Sequence, residues 1–565
     1  MTRSRPVRLS VSLAVALLAT PAVRAAEPTR VDAAFLSRLR DEGLNRGRSH
    51  ETIRLLCDEI GPRLTGSPSY RKAALATRDA LAAQGLVNAR LAPFSFGRGW
   101  ELENVSVTLE VPHAMPIAAI PKAWTPGTGG PKTAEAVRVT LANEKDLEAQ
   151  KGKLAGKIVL LADPVEKKPA ADVDFDTYTD EELAKLSGFE IEAGGPPRDR
   201  EGFAARRAFQ QKLRPFLVEE KVVATLEPSR GFDGTIFAGG GGSWTPSDPE
   251  GVPGLVIATE DYNRLARLLA RKKPVKLTVN VAARFVPPAA ENAANVLAEI
   301  PGSGRADEIV MLGAHLDSWQ AATGATDNAA GVAVAMEAVR LLKAVGFVPK
   351  RTIRIGLWGG EEQGLLGSRA YAAEELAARP EPTDPAEKEL PPFARRSTGP
   401  LTLKPGHAKH AVYFNLDNGA GRVRGIWAEN NVAAAELFRA WLEPFEDLGV
   451  TTVTLRRTGG TDHQSFDGVG VPGFQLLQDQ LDYDSRTHHS NMDVPERIPP
   501  GNLDQASVVM AALVAHAAQL EGTFPRKPMP KDPPAPPAAP PAAAPGVPPL
   551  APAPPAKPSP AEVTK

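Results

Sequence analysis

The sequence holds a single cysteine, Cys57, in 565 residues, so no intramolecular disulfide can form. It also lacks an excess of charge: 66 Lys and Arg stand against 67 Asp and Glu, for a net charge of −1. That balance argues against a nucleic-acid-binding protein, which usually carries a basic face or tail. Aromatic residues are sparse at 6%, and there are only nine histidines. Beyond the N-terminus no segment is apolar over the ~20 residues that a membrane span needs. What is present, 42% hydrophobic and 24% charged residues, is the composition of a globular protein.

Both ends are set apart from the rest. Arg3, Arg5 and Arg8 precede an apolar run from Leu9 to Leu18, followed by Pro21 and small residues ending at Ala25 and Ala26. This is the layout of a secretory signal over residues 1–26, with Val23 and Ala25 in the cleavage positions. It predicts export, to the periplasm or outside the cell. An exported chain without disulfides must be held by its core or by metal. Residues 522–565 are mostly Pro and Ala, as in Pro533-Pro534-Ala535-Pro536-Pro537. Such a stretch buries too little to fold and favours extended polyproline II, so it is expected to be a disordered tail.

Between the ends two textures alternate. Residues 27–116 combine a helical stretch from Glu51 to Gly85, broken at Gly61–Pro68, with a strand from Asn104 to Val111, and are expected to open the catalytic domain. Residues 117–286 carry short β-rich pieces such as Lys157-Ile158-Val159-Leu160-Leu161 and the loop Gly239-Gly240-Gly241-Gly242. They read as an inserted β-rich domain with a charged helical excursion from Asp180 to Val218. Residues 287–521 repeat strand, loop and helix: strands are predicted at Ile309–Leu312, Thr352–Trp358, Ala411–Leu416 and Phe474–Leu477, and a helix at Ala329–Leu342. This alternation predicts an α/β fold with a mixed, largely parallel sheet flanked by helices.

Ligands of open α/β sheets bind beyond the carboxyl ends of the strands. There the sequence places His315 and Asp317, then Asp327 before the next helix, Glu361-Glu362 after a Gly-Gly turn, Asp417, and His488-His489. Each has an ordinary reading alone: a hydrogen-bonded histidine, an N-cap, or carboxylates at a helix N-terminus. Their conjunction on one sheet edge, in a chain with so few histidines, points to metal. Imidazole and carboxylate suit zinc in a hydrolytic site. A pair of ions ~3.5–4 Å apart needs one shared ligand and terminal ligands for each. His315, Asp327, Glu362, Asp417 and His489 supply that number, and cobalt or manganese fit the same donors. Glu361 is left over beside a ligand, where a general base would stand.

The motifs His315-Leu316-Asp317-Ser318, Asp327-Asn328-Ala329-Ala330-Gly331, Glu361-Glu362-Gln363-Gly364-Leu365-Leu366-Gly367-Ser368 and His489-Ser490 resemble the di-zinc exopeptidase family. That family includes bacterial leucyl aminopeptidases, glutamate carboxypeptidase and carboxypeptidase Q. The segment Glu59-Ile60-Gly61-Pro62-Arg63-Leu64-Thr65-Gly66-Ser67 is similar to the carboxypeptidase Q branch, and the β-rich insertion resembles a protease-associated domain. The resemblance implies that Asp327 bridges two zinc ions, with His315 and Asp417 on one and Glu362 and His489 on the other. Glu361 would be the general base, and Asp317 would orient His315. Some members steady the oxyanion with a tyrosine. The segment Thr458-Gly459-Gly460-Thr461-Asp462-His463 has none, leaving His488, which adjoins a ligand, or His463 for that role. The spacing His489-Ser490-x-x-Asp493 favours His489 over His488 as the ligand. A Pro-rich insertion from Arg379 to Pro405 lengthens the connection to Asp417 and would shape the substrate mouth.

The expected function is therefore an exported exopeptidase, an aminopeptidase or a dipeptidase, acting on short peptides. Two alternatives stand beside it: a glutaminyl cyclase-like enzyme with one zinc, and a catalytically inactive binding protein on the same fold. A complete set of five ligands with Glu361 argues against both. Oligomeric state is left open by the sequence, a dimer included.

Overall fold

The computed structural model describes residues 31–166, 174–192, 199–388, 390, 395 and 399–532. The expected signal, residues 1–26, lies outside them, as do a small part of the Arg379–Pro405 insertion and the tail beyond residue 532.

Two eight-stranded sheets organise the chain. The first is ordered Val87–Pro93, Ala294–Ile300, Arg351–Trp358, Arg305–His315, His410–Asn415, Gly473–Gln478, Val423–Trp427, Thr452–Thr454. Its four central strands, from Arg351–Trp358 to Gly473–Gln478, run parallel. The flanking pairs are antiparallel, apart from the parallel pair at the Thr452–Thr454 edge. The fold is thus the mixed, largely parallel α/β sheet expected. Its strands are apolar on both faces because helices cover both. Arg305–His315 turns buried from Ile309 onward, and Ala294–Ile300 is buried throughout.

Helix Ala330–Ala344 is buried at almost every position, held between the sheet and helix Asn502–Gln519, itself nearly all buried. Small residues on both helices permit that close approach. Each fully buried Val or Leu there contributes about 1.5–3 kcal/mol. The break predicted at Gly61–Pro68 is real: a helical segment ends at Gly61, with φ +83°. The next helix, Pro68–Ala83, starts on a Ser67 cap that accepts from the Tyr70 amide, with Pro68 in the first turn.

The second sheet is ordered Met115–Pro116, Gly99–Val111, Lys276–Val286, Lys132–Arg138, Ile158–Leu160, Ala224–Pro228, Gly254–Ile257, Ala119–Pro121. It has its own core around Leu109, Ile158, Leu226, Leu255 and Leu277. Residues 99–116 therefore do not belong with the catalytic sheet, as the sequence reading had them. The Gly99–Val111 strand pairs with Lys276–Val286 along its length, and this long hairpin-like pair forms the neck of the second sheet. The tail assignment also shifts. Asn431 donates to the Pro525 carbonyl at 2.9 Å, Arg526 to that of His407 at 2.9 Å, and Lys527 to that of Glu429 at 2.7 Å, so the chain is packed on the catalytic domain well past residue 522. Among the described residues, no helix is long and apolar enough to cross a membrane.

Candidate metal centre

The parallel strands deliver the site from one edge. His315 ends its strand, and Asp417 follows the end of the neighbouring one. Glu361 and Glu362 leave the Arg351–Trp358 strand through Gly359 and Gly360, the latter at φ +68°, where glycine is the least strained residue. Asp327 lies in the turn that opens helix Ala330–Ala344.

These residues meet around Asp327. His315 Nε2 lies 3.2 Å from Asp327 Oδ1 and 3.3 Å from Asp417 Oδ1. On the other side, His489 Nε2 lies 3.2 Å from Asp327 Oδ2 and 2.9 Å from Glu362 Oε2. Asp327 thus turns one oxygen to each pair. His315 Nδ1 is 3.0 Å from the Asp317 backbone carbonyl; a proton held there on Nδ1 would free Nε2 for a cation shared with the carboxylates.

This corrects the role expected of the Asp317 side chain. Its carboxylate lies 3.6 Å from the His315 ring nitrogen, beyond hydrogen-bond reach. It accepts instead from the Thr65 hydroxyl at 2.9 Å and from the amides of Glu361 and Glu362 at 3.3 and 3.4 Å. The orientation of His315 comes from the backbone of residue 317, and the side chain holds the Glu361-Glu362 turn.

The electrostatics of the cluster are those of a cation site. Asp327, Glu361, Glu362, Asp417 and Asp462 are all buried or nearly so, and among the described residues no lysine or arginine pairs with Asp327, Glu362 or Asp417. Glu362 Oε1 and both carboxylate oxygens of Asp462 have no hydrogen-bond partner. Burial lifts Glu361 well above the usual carboxylate range, and lifts Glu362 and Asp462 to about 7. Burial disfavours charge on His489, but Glu362 and Asp327 outweigh it and raise the imidazole to about 10. Asp327 is likewise desolvated, yet His315 and His489 hold it well below its ordinary value. A bound cation would satisfy these carboxylates and invert the preference for protonated imidazoles. Donor atoms of His315, Asp327 and Asp417 lie within 4.8 Å of one another, and this mix of imidazole and carboxylate fits zinc.

His488 and His463 part company. The His488 ring stacks on Tyr483 at 4.6 Å and lies 4.0 Å from the His489 ring. A nitrogen of His488 falls within 4.8 Å of donor atoms of Asp327 and His489. His463 is fully buried, with Nε2 3.5 Å from Glu429 Oε1. It lies against Glu429 and outside the ligand groups.

The loop carrying His489 is held by the second sheet's domain. Ala238 donates its amide to the His489 carbonyl at 2.9 Å, and Phe237 forms a β-bridge with Ser490. Asn491 accepts from the Ile236 amide at 2.7 Å and donates to the Gly234 carbonyl at 3.0 Å. His489 itself has φ +66°. Trp319, from the loop after His315, puts its ring 5.8 Å from His489 and 6.0 Å from Trp124 of the inserted domain.

Sequence reading missed several participants. Asp462 stands in the segment quoted above, where attention fell on its histidine neighbour; its environment is set by burial and by the charges of His315 and Asp417. Tyr483 is buried, with Asp327, Asp417, Glu362 and Glu361 all raising the pKa of its phenol further. Asp493 accepts from the amide and hydroxyl of Thr326 at 2.6 and 2.8 Å, steadying the residue before Asp327. Arg63 is wholly buried and donates to the carbonyls of Leu316, Thr323 and Gly324, all at 2.7–2.8 Å.

Residues 295–514 match the model of peptidase family M28. Carboxypeptidase Q of Bos taurus is 28% identical over 487 residues, spanning 86% of this chain and 88% of the relative. The carboxypeptidase Q of Homo sapiens is 25% identical over 485 residues, with the same coverage, 86% and 88%. The fold is that of a peptidase M28 precursor from Shewanella amazonensis, with TM-score 0.60 and 23% identity over 88% of this chain and 99% of that one. It is also that of BSAP, a zinc aminopeptidase from Bacillus subtilis, with TM-score 0.50 and 19% identity over 84% and 95%. Fold, site and relatives together define a metallo-exopeptidase, a hydrolase. Over residues 295–514 the chain is similar to peptidase family M28, in keeping with the resemblance of its motifs to the di-zinc exopeptidases.

Proposed function

We propose that the protein is an exported exopeptidase that hydrolyses short peptides, as an aminopeptidase or a dipeptidase, at a centre of two zinc ions. The observation that carries the reading is Asp327, whose two oxygens face separate imidazoles at 3.2 Å each. His315 and Asp417 would hold one ion, Glu362 and His489 the other, and Asp327 would be shared. When bound, the ions supply Lewis acidity at the scissile carbonyl and make water a stronger acid.

Glu361 is the base in this reading. Burial raises its proton affinity, which suits a group that takes a proton from the attacking water and returns it to the departing amine. The water oxygen bonds to the carbonyl carbon, the C–N bond breaks, and the proton held by Glu361 leaves on the amine. Asp317 keeps Glu361 in place through its backbone amide. In this reading His488, which stacks on Tyr483 beside His489, donates to the oxyanion. The Glu429 contact supports a packing role for His463. The inserted sheet is read as a protease-associated-type domain, and the N-terminal pattern supports export to the periplasm or beyond.

The test is hydrolysis of a dipeptide panel by zinc-loaded protein, each peptide free or N-acetylated, with and without chelator. Chelator-sensitive cleavage of the free peptides alone would establish recognition of the amine. Cleavage of the acetylated forms as well would move recognition to the carboxyl end. Absence of cleavage throughout would overturn the peptidase reading in favour of a binding protein.

A further inference from the structure

The Gly61–Ser67 segment lies more than two hundred residues before the ligand motifs, and the reaction just described makes no use of it. Yet it runs through the floor of the site. The Thr65 side chain is fully buried. Its hydroxyl donates to Asp317 Oδ2 at 2.9 Å and accepts from the Gly360 amide at 3.0 Å. Gly360 immediately precedes Glu361, and Asp317 receives the amides of Glu361 and Glu362. One hydroxyl therefore closes a ring of hydrogen bonds around the turn that carries both glutamates.

The same segment fixes the other side of the centre. The Arg63 amide donates to Ser318 Oγ at 3.0 Å, and its carbonyl accepts from the Ser318 amide at 3.2 Å. The guanidinium reaches the carbonyls of Leu316, Thr323 and Gly324 at 2.7–2.8 Å. It thereby pins both ends of the loop that joins His315 to Asp327. A buried polar group satisfied in this way has one orientation, because every alternative leaves a donor or acceptor unpaired.

We infer that Thr65 is a positioning residue of the hydrolytic reaction: through Asp317 and Gly360 it sets where the Glu361 and Glu362 carboxylates stand. This rests on the peptidase reading above for its effect on turnover, but its effect on metal retention does not. Valine has nearly the shape of threonine but neither donates nor accepts. Thr65→Val leaves the Gly360 amide unpaired and deprives Asp317 of its closest donor. Thr65→Ser keeps both bonds.

The experiment compares full-length wild type, T65V and T65S for zinc retention against a competing chelator, for kcat and KM on a free dipeptide, and for thermal midpoint. For zinc-loaded, folded T65V the expected result is a kcat lower by about 10–100-fold with KM little changed, and weaker zinc retention. T65S should restore both to within about threefold of wild type, as retention of the hydroxyl requires. A T65V protein with a lower thermal midpoint but wild-type kcat and zinc retention would make Thr65 merely structural and overturn the inference. Equal loss in T65S and T65V would overturn it as well, since the hydroxyl would then not be the cause. If T65V does not fold, Thr65→Ala gives the same comparison without placing a methyl group against the Gly360 amide. Should wild type cleave no peptide, the peptidase reading fails, and zinc retention alone still decides the role of Thr65.

Discussion

The two sides of the centre are built in opposite ways. On one side His315 and Asp417 stand at the ends of adjacent parallel strands, both buried. The Asp417 carbonyl accepts from Gln475 at 2.9 Å and Gln478 at 2.6 Å on the next strand, and the Asn418 amide bonds its carboxylate at 2.6 Å. On the other side His489 rides a loop, its side chain 33% exposed, in a left-handed conformation. That loop is gripped by residues 234–238 of the inserted domain. The first side is built from the catalytic sheet alone, whereas the second joins Glu362, from a turn of that sheet, to a loop held by the other domain. The inserted domain thus holds the backbone of the loop that carries His489. Asp327 belongs to both sides and joins them.

That contrast can be broken at its joint. Asp327→Ala should lose both ions and all chelator-sensitive hydrolysis, because metal binding and folding energy are coupled at such a site; elemental analysis and a thermal melt check it, and full zinc content would remove Asp327 from the shared position. Glu361→Gln should come next. Turnover should fall by about 10²–10⁴-fold with zinc content intact, so that a variant with wild-type turnover would exclude Glu361 as the base.

A smaller effect sharpens the comparison. Asn491→Ala cuts the two side-chain bonds of Asn491 to the inserted domain without touching a ligand. It should loosen the ion on the His489 side by about tenfold, the lower end of what indirect supports of ligands are worth, and leave the His315 side alone. Two equally weakened ions in a chelator titration would show that the sides are not independent.

The smallest effect is a pH dependence of the metal-free protein. Burial raises Glu362 and Asp462 to about 7, from ordinary values of 4.5 and 3.8, so the folded state binds protons that the unfolded state releases between those limits. Stability should therefore rise as pH falls from about 8 towards 5. His489, raised to about 10 from 6.5, adds the same sign above its unfolded value. Asp327, held low, opposes only near and below its ordinary value of 3.8. Zinc-loaded protein should show the reverse trend, since protons compete for the ligands. A metal-free thermal midpoint that drops between pH 8 and pH 6 would contradict the clustering of unneutralised carboxylates.

Much of this was legible in sequence because the ligands sit where apolar runs end, and the period of those runs marks the strands. His315, Asp327, Glu361-Glu362 and Asp417 each follow or precede such a run, whereas His489 stands further along a polar loop. What escaped depends on pairings between distant residues. Thr65 and Asp317 are 252 positions apart, and nothing in either local pattern announces the bond. The start of the inserted domain was placed at residue 117 because the texture changes there; its true limit follows from the pairing of Gly99 with Val286, a register that no local pattern contains. The tail was drawn from composition, and composition does not register that Arg526 and Lys527 find backbone carbonyls on the catalytic domain. The side chain of Asp317 was given to His315 by the family resemblance, whereas the acceptor nearer to the His315 ring is the backbone carbonyl of residue 317.

The most direct test of the account is the number of zinc ions bound per chain in wild type and in His489→Ala, counted by elemental analysis after metal loading and removal of free zinc. The account predicts two ions in the wild type and one in the variant, the survivor being that of the buried His315–Asp417 side. A wild type that binds one ion, or a variant that keeps two, would contradict a centre made of two sides joined at Asp327.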